Sequence, residues 1–98
     1  MAEQHAVFDR LGRILVGVLS VDPARIVPPA RVMTDLGAES IDLLDLRFRV
    51  EREFGLRISN QELATAFGPK LTAEQFRELF TVGAIVGYVE QRLGAPRG

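Results

Sequence analysis

Ser40, His5 and the carboxylates Asp42, Asp45, Glu51 and Glu53 are the side chains of this sequence best suited to chemistry, and their surroundings narrow it. Ser40 lies in Gly37-Ala38-Glu39-Ser40-Ile41, which lacks the glycines of the G-x-S-x-G elbow that exposes a hydrolase nucleophile, and no strand is expected ahead of it. His5 is the only histidine, close to the start of the chain, where an exposed polar side chain is expected rather than a general base. The carboxylates read as a solvated helix face. With no cysteine, disulfides and thiolate metal sites are impossible, and any thiol chemistry must use a sulfur that is not part of the chain. A serine in the first turn of a helix has another use. Free backbone N–H groups and the helix dipole stabilise an anion there by about 0.3–1 kcal/mol, so a phosphodiester on Ser40 would be favourably placed. The ordinary role of serine at such a site is the N-cap, worth about 1 kcal/mol, and taken by itself Ser40 reads as that cap.

The elements that must position these residues are helical. From Ala2 to Leu19, the residues Val7, Phe8, Leu11, Ile14, Leu15, Val18 and Leu19 recur at helical spacing and predict a first helix ending near Ser20. Pro23 and Pro28-Pro29 forbid regular helix, so Val21 to Glu39 is expected to be a long ordered loop with Ile26, Val32, Met33 and Leu36 laid over the core. Gly37 supplies a turn, and a second helix runs from Ser40 or Ile41 to Phe54, ended by Gly55. Its apolar residues fall in two sets: Ile41, Leu44 and Phe48 on one side, and Leu43, Leu46, Val50 and Phe54 one face over. Ser59-Asn60-Gln61-Glu62 and Thr72-Ala73-Glu74-Gln75 have capping-box spacing and open two short helices, the first broken by Gly68-Pro69. Thr81 is placed to cap a last helix through Val82, Ile85, Val86, Val89 and Leu93. The fold class is all-α, a small helical bundle with an extended region carrying extra short helices between helix two and the last helix.

The chain has 98 residues, 47% of them hydrophobic and 26% charged, a composition that fits one globular domain, with its core over residues 3–93 and a flexible tail at 94–98. Twelve Lys and Arg against 13 Asp and Glu leave a net charge of −1 and no basic run, which argues against nucleic acid as a partner. No window approaches the roughly 18 apolar residues of a membrane span, and the start of the chain does not read as a signal peptide, so the expectation is a cytoplasmic, monomeric protein that is not integral to the membrane.

Four stretches, in order, carry a resemblance to a known family: Val21-Asp22-Pro23-Ala24-Arg25-Ile26, then Asp35-Leu36-Gly37-Ala38-Glu39-Ser40-Ile41-Asp42, then Glu53-Phe54-Gly55-Leu56-Arg57-Ile58, and Thr81-Val82-Gly83 through Tyr88-Val89-Glu90. Across most of the chain from Leu11 to Leu93 it resembles an acyl carrier protein. The D-L-G-x-[DE]-S-[LI]-D element at the head of a helix is the specific part of the likeness. The resemblance implies a carrier and not an enzyme, with a 4′-phosphopantetheine arm derived from coenzyme A attached to Ser40 by a separate phosphopantetheinyl transferase. The arm would supply the thiol that the chain lacks. Other implied partners are an acyl-loading ligase or synthase and an acyltransferase. They would read Glu39, Asp42, Asp45 and Glu51, with Ile41 and Phe48 as apolar contacts and Arg49 and Arg52 among the acids. Phe48 also suits the core, and the phenylalanines as a group are assigned to the core first and an acyl pocket second. Gly83 and Gly87, four apart, could thin a wall beside such a pocket.

Three features depart from the family pattern. Glu39 precedes the serine where aspartate is usual. Between Ser40 and Ile58, Asp42, Asp45, Glu51 and Glu53 are offset by Arg47, Arg49, Arg52 and Arg57, so a docking face that is acidic in the family is balanced here. From Ser59 to Phe80 the chain has 22 residues, including Leu63, Phe67, Leu71, Phe76, Leu79 and Phe80, where a shorter linker is usual. That region is similar to carriers of very long or hydroxylated chains for lipid A and implies a specialised fatty-acid or lipid pathway. A polyketide or peptidyl carrier, and an unmodified helical interaction module, are the alternatives.

Overall fold

The computed structural model describes residues 2–67 and 72–94, the side chains of 2–5 and 64–67 excepted. The break expected at Gly68-Pro69, the side chains of His5 and Phe67, Leu71, and the tail from residue 95 lie outside the described residues. The elements are α1 (Ala2–Leu19), a 3₁₀ turn (Pro23–Arg25), α2 (Ser40–Phe54), α3 (Asn60–Phe67), α4 (Ala73–Leu79) and α5 (Val82–Arg92). Among the described residues there is no strand, only an isolated bridge between Arg31 and Thr81.

The apolar spacing of α1 buries Val7, Leu11 and Leu15, and this helix packs against α2 and α5. From α2 come Leu46, Val50 and Phe54; from α5, Val82, Ile85 and Val89. Ser20 stops α1 in the left-handed region at φ 57°, and Gly55 stops α2 at φ 67°, where glycine avoids the Cβ clash. The long loop is more regular than its prolines suggest: Pro23 starts a single 3₁₀ turn capped by Asp22, whose carboxylate accepts the Ala24 N–H at 2.9 Å. As expected, the loop lies over the core, with Ile26, Val32 and Leu36 buried, together with Ala30 and Ala38.

Three backbone hydrogen bonds sew this loop to the start of α5. Val32 N–H donates to Phe80 C=O at 2.9 Å, Val82 N–H to Ala30 C=O at 2.9 Å, and Gly83 N–H to Pro28 C=O at 2.8 Å. A Cβ on Gly83 would lie 3.1 Å from the Pro28 oxygen, so this glycine permits the close approach; one on Gly87 would meet nothing within 4 Å. The pair therefore does not thin a pocket wall. Gly83 belongs to the loop seam and Gly87 faces open space.

Both capping boxes of the extended region form. Glu62 N–H donates to Ser59 Oγ at 3.0 Å and Ser59 N–H to Glu62 Oε1 at 3.4 Å, while Gln75 N–H donates to Thr72 Oγ1 at 3.0 Å and Thr72 N–H to Gln75 Oε1 at 2.9 Å. Thr81 caps α5 by accepting the Ala84 N–H at 3.1 Å. Polar ties hold α3 and α4 in place: Arg92 Nη1 reaches Glu62 Oε1 at 3.0 Å and Arg57 C=O at 2.9 Å, and Arg31 Nη1 reaches Glu78 at 2.9 Å.

Candidate functional site

The turn that delivers the chain to Ser40 is organised around Asp35. Its carboxylate accepts the Arg31 N–H at 2.8 Å and the Arg31 guanidinium at 3.0 and 3.1 Å, and Arg25 donates to its carbonyl. These bonds from Arg31 hold the Asp35 carboxyl below the ordinary carboxylate range and, with Glu78, raise the Arg31 guanidinium above its own. Gly37 N–H then donates to Met33 C=O at 3.1 Å, and Gly37 takes φ 79°, a value that side chains resist.

At the head of α2 the capping reading of Ser40 is corrected. The N-cap is Glu39, and the cap bond comes from inside the helix: Asp42 Oδ2 accepts the Glu39 N–H at 2.8 Å. Ser40 is the first helical residue, exposed, and its side chain makes no hydrogen bond among the described residues. The first intrahelical bond runs from Leu43 N–H to Glu39 C=O at 3.2 Å, so the Ser40 and Ile41 amides precede the i→i−4 ladder. A phosphodiester on this hydroxyl would face water on one side and first-turn N–H groups on the other. The residues therefore fit an attached arm, because the hydroxyl is accessible and no structural role is lost by substituting it.

The two apolar sets of α2 separate. Leu46, Val50 and Phe54 are buried and Leu43 is half-buried against the core, whereas Ile41, Leu44 and Phe48 stand 71%, 56% and 61% exposed. Phe48 is thus a surface residue, not a core one, and with Ile41 and Leu44 forms an apolar stripe running down α2 from Ser40. Leu44 completes it; its spacing of three from Ile41 and four from Phe48 is the signal that joins the three. Of the acids expected as partner contacts, Asp42 caps the helix, Asp45 pairs with Arg49 at 3.0 Å, and Glu51 turns away to accept the Ile58 N–H at 2.7 Å. Glu39, Arg49 and Arg52 are exposed around the stripe.

Behind α2 lies a cavity of about 110 Å³ lined by Leu43, Leu46, Arg47, Val50, Ile58, Leu63, Phe76, Phe80, Ile85 and Tyr88. It begins at Leu43, one helical turn beyond Ser40. Phe76 and Phe80, whose rings stack with centroids 4.8 Å apart, form part of its wall, so the extended region does contribute to a pocket. Phe54 lies in the core instead, under the Arg10 guanidinium 4.5 Å from its ring centroid. Arg47 is the unexpected member of the lining. Its Nη1 donates to Asn60 Oδ1 at 2.6 Å, but its Nε is buried without a partner, an arrangement that costs about 1–3 kcal/mol for a neutral donor and more for a charged one. In the sequence Arg47 groups with the surface charges, because a charge at that spacing has no signature of burial. No cluster of metal-ligating side chains occurs among the described residues, and none of their helices is long and apolar enough to cross a membrane.

The comparisons with known proteins agree with this geometry. The family described as "Phosphopantetheine attachment site" matches residues 9–66. The acyl carrier protein of Thermotoga maritima is 33% identical over 94 residues, covering 96% of this chain and all of the relative. Those of Helicobacter pylori strains G27 and HPAG1 are each 31% identical over 85 residues, covering 87% of this chain and 92% of theirs. In this family 4′-phosphopantetheine is attached covalently, and its thiol holds an acyl group for other enzymes to act on. A helical bundle with an accessible hydroxyl at the head of α2, an apolar cavity one turn away and relatives matching over nearly its full length belongs to the acyl carrier protein family: it is a carrier rather than an enzyme.

Proposed function

We propose that Ser40 is the residue to which 4′-phosphopantetheine is attached, and that residues 1–98 form a single carrier domain serving a specialised fatty-acid or lipid pathway in the cytoplasm. The observation that carries the assignment is the exposed, unbonded Ser40 hydroxyl in the first turn of α2, with the cap supplied by Asp42. Ser40 holds the arm, the turn from Asp35 to Glu39 sets its direction, and the cavity behind Leu43 takes the beginning of the acyl chain. The phosphopantetheinyl transferase, the loading ligase or synthase, and the acyltransferase dock on Glu39, Ile41, Asp42, Asp45, Phe48, Arg49, Glu51 and Arg52. Within that set the apolar stripe gives area, and Glu39, Arg49 and Arg52 give charge of both signs that selects partners and speeds encounter.

Incubation with coenzyme A, Mg²⁺ and a broad-specificity phosphopantetheinyl transferase, followed by intact mass spectrometry, tests the assignment. The expected outcome is a gain of one phosphopantetheinyl unit on the wild type and none on Ser40→Ala. A gain that survives Ser40→Ala would move the attachment elsewhere.

A further inference from the structure

Arg31 stands where the extended region meets the turn that delivers Ser40. Its N–H, Nε and Nη2 all donate to the Asp35 carboxylate, at 2.8, 3.0 and 3.1 Å, and its carbonyl accepts the Asp35 and Leu36 N–H groups at 2.8 and 3.1 Å. Ala38 N–H, two residues before Ser40, donates to Val32 C=O at 3.1 Å. The turn is thus closed onto Arg31 and its neighbour almost as far as the serine. From the other side, Arg31 Nη1 donates to both carboxylate oxygens of Glu78 on α4, at 3.0 and 2.9 Å. The Glu78 side chain is 61% exposed, and a pair so exposed adds little to folding stability. It does fix direction, because a planar guanidinium held by carboxylates along two edges cannot turn freely. Direction matters at Ser40: a reacting hydroxyl misplaced by about 1 Å can lose up to about 100-fold in rate.

We propose that Arg31 and Glu78 are positioning residues for the modification of Ser40: Glu78, reaching from α4, holds the Arg31 guanidinium on Asp35 and so fixes the turn that presents the serine hydroxyl to the transferase. The inference rests on the assignment of the arm to Ser40, and it gives the extended region a part in attaching that arm. In the step itself, Ser40 Oγ attacks the phosphorus of coenzyme A that bears the pantetheine. The phosphodiester forms, the pyrophosphate bond breaks, adenosine 3′,5′-bisphosphate leaves, and the hydroxyl proton passes to a base of the transferase. Neither Arg31 nor Glu78 touches the reacting atoms.

The test follows single-turnover transfer from coenzyme A, with a broad-specificity transferase and Mg²⁺ in excess, on the wild type, Glu78→Gln, Arg31→Met and the double variant, with Ser40→Ala as the blank. Circular dichroism confirms that each variant is folded. The rate at saturating transferase should fall about threefold in Glu78→Gln and about tenfold in Arg31→Met, while the half-saturating concentration holds, because the α2 face is untouched. Glu78→Gln should add nothing to Arg31→Met, since it acts only through that guanidinium. Without the transferase, the Gly37 and Ala38 amide resonances should shift in both single variants. An unchanged saturating rate in Glu78→Gln would overturn the proposal and leave the Ser40 assignment intact. So would a raised half-saturating concentration at constant rate, which marks a docking contact, or a Glu78→Gln effect that persists beside Arg31→Met. A wild type that gains no phosphopantetheinyl unit, or a Ser40→Ala protein that gains one, would overturn the assignment and this inference with it.

Discussion

At Ser40 the serine and its flanking residues are legible in the sequence, because glycine, an acid and the start of an apolar periodicity around one serine together mark the head of a helix. Its local role is not. Serine is favoured at the N-cap, but here the cap falls to Glu39, whose N–H is taken by Asp42 from within the helix. Spacing alone cannot tell which of two adjacent residues sits half outside a helix. Ser40 and Asp42 should therefore respond differently to truncation. Asp42→Ala should lower stability by about 1 kcal/mol in urea unfolding, as loss of a cap does. Ser40→Ala should change it by only a few tenths, because alanine is the better helix former and no bond is lost. Equal destabilisation by both would show that the hydroxyl does cap. Arg47 marks the limit of reading residues singly: its burial depends on α3 and α4 arriving over it, which local pattern does not encode.

Among the elements, the helices and their caps follow from the sequence, because period and capping chemistry are local. The division of α2 into a buried and an exposed apolar face is visible as two sets, but which set faces the core depends on where α1 and α5 lie. Large aromatics are usually buried, and Phe48 goes against that rule. The pocket lies where α2 and α5 meet α3 and α4. An apolar cavity of about 150 Å³ holds a benzene-sized guest, so the roughly 110 Å³ here takes about four or five carbons before Leu63 and Phe76 must give way. In a series of acylated proteins from butanoyl to hexadecanoyl, the thermal midpoint should keep rising past hexanoyl as the α3–α4 wall moves and further methylenes are buried, each worth up to about 0.8 kcal/mol. A plateau at butanoyl would mean that this wall is rigid and the extended region serves some other purpose.

For the whole molecule, the net charge of −1 argues against nucleic acid, and the structure gives that near-neutrality a location. Arg49 pairs with Asp45 beside the apolar stripe, and Arg52 makes no ion pair among the described residues near its far end, so the proposed docking face presents both signs rather than an acidic field. Partners that dock there should gain little from long-range attraction. Raising ionic strength from about 0.05 to about 0.5 M should slow association with the transferase by less than about tenfold, measured by stopped flow, and Arg52→Glu should steepen that dependence. A steep salt dependence in the wild type would place the contact on another surface.

Because Asp42, and not Ser40, secures the start of α2, decorating the serine costs the helix nothing. The armed form should then melt no lower than the blank one, raised only by the roughly 0.3–1 kcal/mol that an anion gains at a helix N-terminus, and any further rise on acylation reports the cargo. The protein is in that sense its own gauge: a mixed population can be assayed for what it carries by heating it, without a partner enzyme or a label.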